Sequence, residues 1–185
     1  MKKGLFISLC TIIFFSCNKN ESNENLAQLK EKFHGKYEMI SSSSTDAVDL
    51  NMDGISSTDL LSENSEILRS GLEIRIYSGY SFLFEEKWPV EYISNSIGEI
   101  VDSTYTINYA LYCNIESFQF TDDYKSLQLQ GSLNQASVNT LKSIESIVVE
   151  ENEIIKVTTI RKLFTKKGWI TTKIESRYKR YTTAT

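Results

Sequence analysis

The sequence predicts an all-β fold, an antiparallel meander barrel of about eight strands, with a β-sandwich as the alternative. Three observations predict it. From Leu72 onward apolar residues recur at every second position, as in "LEIRIYSGYSFLFEEKW", where Leu72, Ile74 and Ile76 lead to Phe82 and Phe84. Runs rich in β-branched and aromatic residues, such as "STYTINYALYCNIESFQFT", are divided by short turn signals. Helical periodicity is confined to short stretches, so the sheet must close or pack on itself.

The elements follow in order. "GKYEMISSSS" alternates and opens the domain. An acidic loop comes next, then a short helix around Thr58 to Arg69. Strand pattern resumes at Leu72, continues through "VEYI" after Pro89, and returns in "YKSLQLQGSL". "NQASVNTLKSIES", from Asn134, reads as either a short helix or a loop. "SIVVEENEIIKVTTIRKLF" turns at Glu151 and Asn152. The last hairpin turns at Lys167-Gly168, with glycine at the positive-φ position. Candidate inward residues are Phe82, Phe84, Tyr105, Tyr109, Phe118, Phe120, Ile170, Ile174 and Tyr178, of which only those on one face of each strand can point in.

The N-terminus is a separate object. "MKKG" is basic, and Leu5 to Phe15 is an apolar run too short to span a membrane as a helix. It ends in "FFSC", with small Ser16 before Cys17. These residues resemble the lipobox of bacterial lipoproteins, departing from it at Phe14 and Phe15, where leucine and then a small residue are usual. The resemblance implies a signal peptide over residues 1–16 and an acyl group on Cys17. It places the protein in the bacterial cell envelope, anchored by lipid to the outer membrane foremost, with its domain periplasmic or surface-exposed. Residues 17–32 are polar and read as a tether, although Leu26, Leu29 and Phe33 share a helical spacing. The β-domain then runs over residues 33–185, long enough to bury a core without disulfides. Once Cys10 and Cys17 are accounted for, Cys113 remains alone, and its aromatic surroundings predict a buried, inert thiol.

Charge is uneven. From Lys156 to Thr185 nine lysines and arginines face Glu175 alone. The prediction is that this basic end pairs with acidic neighbouring strands or forms a solvated face; anionic lipid or polysaccharide is the alternative. Nucleic acid is no natural partner for an exported protein.

"DLNMDGISSTDL" is the chemically specific stretch. Asp49, Asn51, Asp53 and Gly54 meet the pattern D-x-[DN]-x-D-G, and it resembles the calcium loops of EF-hands and dockerin modules. Calcium wants six to eight oxygens, and alternate residues of a tight loop can all aim inward. The resemblance implies calcium held by Asp49, Asn51, Asp53, the carbonyl of Ile55, and Asp59 or Glu63 as closing ligand. After Gly54 everything arrives one residue early relative to an EF-hand. The competing reading is purely local: Asp and Asn make turns with their own backbone, and Ser56 with Asp59 forms a capping box opening a helix at Ser57.

Catalytic groupings are missing. His34 is the single histidine, which excludes multi-histidine metal sites and leaves no base for a serine nucleophile; it reads as a surface or strand-end residue. Glu85-Glu86 and Asp122-Asp123 are adjacent pairs whose members diverge in a strand or turn. The expectation is therefore a protein that is not an enzyme. "GKYEMISSSS" near the start and "GWITTKIESRYKRY" at the end also resemble lipocalin-like envelope lipoproteins, which implies a binding module for a small apolar ligand or a glycan. The alternative is a structural or interaction lipoprotein with a filled core.

Overall fold

The computed structural model describes residues 19–79, 81–97, 100–130 and 142–185. The signal segment, Cys17 and most of the ambiguous stretch from Asn134 lie outside the described residues. The elements are α1 (Lys19–Phe33), β1 (Gly35–Val48), β2 (Ser57–Asp59), α2 (Leu60–Glu63), a 3₁₀ turn (Ser65–Arg69), β3 (Gly71–Ile76), β4 (Phe82–Ile97), β5 (Ile100–Phe120), β6 (Ser126–Leu129), β7 (Lys142–Glu150), β8 (Ile154–Thr165) and β9 (Gly168–Thr182). Every pairing is antiparallel, in the order β1-β3-β4-β5-β6-β7-β8-β9, and β9 returns to β1. The result is a closed, eight-stranded, lipocalin-like meander, with the short β2 continuing along the edge of β1 that β3 leaves. Closure removes the open edges an all-β sheet would otherwise expose.

Alternation decides what fills the barrel. Leu72, Ile74 and Ile76 on β3 stand opposite Glu86, Phe84 and Phe82 on β4. With Ile155 and Val157 on β8 and Ile174 and Tyr178 on β9, they form one contiguous core. Each large side chain fully buried there contributes about 1.5–3 kcal/mol. Of the expected inward residues, Phe84, Phe118, Ile174 and Tyr178 are buried, and Phe82, Phe120 and Ile170 pack against that core from partly buried positions. Tyr105 and Tyr109 are different. They fall on the opposite face of β5 from Phe118 and Phe120, because the even positions take the core side.

Helix α1 corrects the tether reading of residues 17–32. The chain is helical from Lys19 to Phe33, and Leu26, Leu29 and Phe33 pack it against the barrel. Leu29 and Phe33 are buried there, and Phe33 meets Phe120 at 4.5 Å between ring centroids. Lys30 and Lys32 in the last turn suit the negative end of the helix dipole. Arg180 adds to this from β9, donating to the carbonyls of Glu31 and His34 while pairing with Glu153. His34 ends the helix half-buried, its Nδ1 accepting from the Ile76 N–H and its Nε2 bonded to Thr185 Oγ1. Burial, then the Lys30 charge, hold its pKa below the ordinary histidine value.

The basic end is accounted for largely by neighbouring carboxylates. Lys156 pairs with Glu175, Lys173 with Glu145, Arg177 with Glu150, Arg180 with Glu153 and Arg161 with Glu86. Gly168 adopts φ +99° in the last hairpin turn, as the sequence predicts.

Cys113 overturns its expectation. It is exposed, because β5 turns its odd positions outward here and Leu111 and Ile115 beside it are exposed too. Partial burial, then a hydrogen bond to the Glu85 carboxylate and its charge, raise the thiol pKa. For Glu85 itself burial pushes upward, but bonds from Cys113 and Lys87 and the Arg75 charge outweigh it and hold the carboxyl low. A thiol reagent should therefore titrate Cys113 fully in the native protein, and Glu85→Gln should speed the reaction near neutral pH by raising the thiolate fraction. Reaction only after denaturant is added would restore the buried thiol.

Candidate functional site

Three places carry chemistry. The first is the centre of the barrel. Glu86 sits on β4 in phase with Phe84 and Trp88, and Arg161 sits on β8 in phase with Val157 and Leu163, so both charges point in. Arg161 is 4 % exposed and Glu86 1 %, and they pair at 2.6 Å. Arg161 Nε donates to Thr159 Oγ1 at 3.0 Å, and its guanidinium lies 3.9 Å from the centroid of the Trp88 ring. The Tyr178 hydroxyl donates to Glu86 Oε1 at 3.3 Å, and burial raises its own pKa well above the usual phenol value. Ser42 and Ser176 share a hydrogen bond at 3.0 Å. Nothing in the sequence analysis singled out this cluster. The signal was present, since a glutamate and an arginine each interrupt an apolar alternation in phase, but two such interruptions on strands 75 residues apart do not announce that they meet.

The second place is a cleft of about 410 Å³ at the α1 end of the barrel. Phe33, Tyr37, Tyr124, Val149 and Ile155 form its apolar part, and Lys32, Lys125 and Arg180 share its rim with Asp123, Glu150, Glu151 and Glu153. The Tyr37 hydroxyl donates to the Phe33 carbonyl at 2.6 Å, tying β1 to the end of the helix. Two turns border the cleft, and both hold non-glycine residues at positive φ: Tyr124 at 56°, Asn152 at 58° and Glu153 at 61°. For a tyrosine and a glutamate that conformation costs of order 1 kcal/mol or more, so the surrounding structure holds these turns in place.

The third place is the acidic loop. Asp49 Oδ2 accepts from Gly54 N–H, Asp53 Oδ1 from Ile55 N–H, Asn51 Oδ1 from Asp53 N–H, and Glu63 Oε2 from Leu50 N–H. Asp59, rather than Ser56, is the N-cap, and the helix begins at Leu60 instead of Ser57. Asn64 then caps the 3₁₀ turn. Ile55 is 72 % exposed at the loop's tip. These bonds are the local turns that Asp and Asn make with their own backbone. Among the described residues no three acidic, histidine or cysteine side chains are grouped to hold a metal. Asp49 Oδ1 is buried without a hydrogen-bond partner, and one oxygen is far from the six that calcium needs.

Comparison with known proteins adds no family to this geometry: no protein-family model matches the chain, and no curated protein matches it. The structure defines the class as a closed antiparallel eight-stranded barrel, plugged by a helix at one end.

Proposed function

We propose that this protein is a lipid-anchored binding module of the bacterial envelope that takes an amphipathic small molecule in the cleft at the α1 end of the barrel. The cleft carries the reading. Its volume falls in the range of about 300–1,000 Å³ typical of small-molecule sites, and it sets apolar walls beneath a charged rim. The barrel interior supports the same choice, because its centre is occupied by the Arg161–Glu86 pair and the side chains around it.

A neutral fluorescent amphiphile such as N-phenyl-1-naphthylamine tests the cleft. It should bind saturably, and Val149→Glu should weaken it at least about tenfold by placing a charge on the apolar wall. The same affinity in wild type and variant would remove the cleft from the proposal. Trp88 packs on Arg161 and Trp169 on Phe164, outside the cleft lining, so the probe's own emission is the readout. A glycan would find a different place: a groove of about 280 Å³ on the outer face, lined by Lys36, Glu38, Arg69, Glu73 and Lys87, with Tyr181 59 % exposed at its side. Binding of a neutral oligosaccharide that is lost in Tyr181→Ala would move the function there.

The anchor in this reading is an acylated Cys17. Several acyl chains, at about 0.8 kcal/mol per buried CH₂, hold a domain firmly. Cys17→Ser should shift the protein out of the membrane fraction or block its processing, and a wild-type mass without acyl groups would end the lipoprotein reading. Calcium enters this reading as a ligand of the acidic loop, with Asp59 or Glu63, each bonded through one carboxylate oxygen to a backbone N–H, as the closing group. Thermal melts that coincide in millimolar calcium and in chelator remove it.

A further inference from the structure

Strand β4 outruns its neighbour. Its pairing with β3 ends at Lys87, yet β4 and β5 stay paired from Leu83–Ser117 to Ile97–Ile100. The outer part of this hairpin is an arm, and it reaches across to Phe164 on β8, which is not its neighbour in the sheet order. Glu91 on the arm accepts from the backbone N–H of Phe164, two residues before the β8–β9 turn. Among the described residues the β7–β8 pairing reaches as far as Lys142–Arg161, and Phe164 lies three residues past it. Around it Tyr105 packs on Phe164 at 5.4 Å between centroids, Phe164 packs on Trp169 at 5.2 Å, and the Tyr105 hydroxyl reaches Met52 Sδ at 3.2 Å.

We propose that the β4–β5 arm is a clasp held by Glu91 on Phe164, which closes when Glu91 is protonated and loosens as it ionises. Phe164 offers Glu91 one backbone dipole and no counter-charge. Opposite it on β5 stands Tyr109, a phenol whose own pKa is raised by burial and by the Glu91 charge. Arg161, three residues along β8, is committed to Glu86, and Lys162 lies over the Trp169 ring at 5.4 Å. Glu66 acts on Tyr109 from the 3₁₀ turn, and Asn64 contributes only a neutral hydrogen bond to it. Burial consequently pushes the Glu91 carboxyl up to about 7, with the Phe164 bond offsetting only part of the rise.

The sign follows from linkage. An open arm returns Glu91 to water and to its ordinary value of 4.5, so closure is favoured at low pH and weakens as pH rises from there to about 7. Between about pH 5 and about pH 8 the opening equilibrium should rise by roughly fiftyfold.

Amide hydrogen exchange over Trp88–Ser94 and Tyr105–Tyr112, corrected for the intrinsic rate, decides this. Protection of the arm should fall by that factor between the two pH values while the β8–β9 ladder away from Phe164 stays protected. Glu91→Gln keeps the acceptor and removes the charge, so the arm's protection should become independent of pH. His34, whose pKa is lowered by burial, sits at the other end of the barrel, and its effect would appear in α1. Arm protection that is constant in wild type, or falls equally in Glu91→Gln, overturns the proposal. Wild type alone suffices if the variant folds poorly.

Discussion

Replacing Arg161 by methionine is expected to remove about 3–5 kcal/mol of stability, the loss typical when one partner of a buried ion pair is deleted. Glu86 is 1 % exposed and would lose the 2.6 Å bond from Arg161 that offsets its buried charge, while the Tyr178 hydroxyl stays at 3.3 Å. For a domain of this size that corresponds to a fall in Tm of roughly 10 °C. The pair itself need not be a net stabiliser, because two desolvated charges seldom gain more from each other than they lose in leaving water. Arg161→Met with Glu86→Met should therefore recover most of the loss. Urea melts of the wild type, both single variants and the double variant give the coupling directly. A double variant no better than Arg161→Met, or a single variant within about 1 kcal/mol of wild type, would show that the pair is not isolated from water.

The second large effect is expected at Gly35. Its φ of +142° is one that side-chain-bearing residues rarely adopt, and an added Cβ would lie 2.1 Å from the Thr182 carbonyl oxygen. That oxygen is backbone of β9 where it closes the barrel against β1, so it cannot swing aside. Gly35→Ala should lose several kcal/mol, roughly 3 or more, as strain and overpacking add. Gly168→Ala is the control. Its φ is +99° but nothing lies within 4 Å of the added Cβ, so only the conformational cost of about 1 kcal/mol applies. Equal losses at the two positions would mean that β9 yields at Thr182. A larger loss at Gly35, with α1 released first in hydrogen exchange, would show that the junction holds the helix against the barrel.

How far the sequence could be read depends on which distances matter. Period-two alternation is a local property, and it was enough for the strands and for the inward set on β9, as the Lys167-Gly168 pair was for the last turn. The divergence of Glu85 and Glu86 was equally local: neighbours on a strand face opposite ways, and they do. Cys113 was misread because aromatic neighbours in sequence do not say which face of β5 is covered. Tyr105 and Tyr109 failed for a related reason. Residues on the arm keep their alternation but leave the barrel wall, so the face that packs there is the odd one. At the acidic loop the cap was legible but its position was not: Asp59 rather than Ser56 accepts from the Leu61 N–H, and Glu63 accepts from Leu50 N–H thirteen residues away.

By itself the sequence determined an antiparallel all-β chain with short turns and a basic last hairpin, because each follows from residues within a few positions of one another. Only the tertiary structure decided that β9 closes on β1, that Glu86 meets Arg161, that α1 plugs one end, and that the arm reaches Phe164. These are contacts between strands distant in the chain. Their geometry is set by how a twisted sheet closes, which no local period encodes.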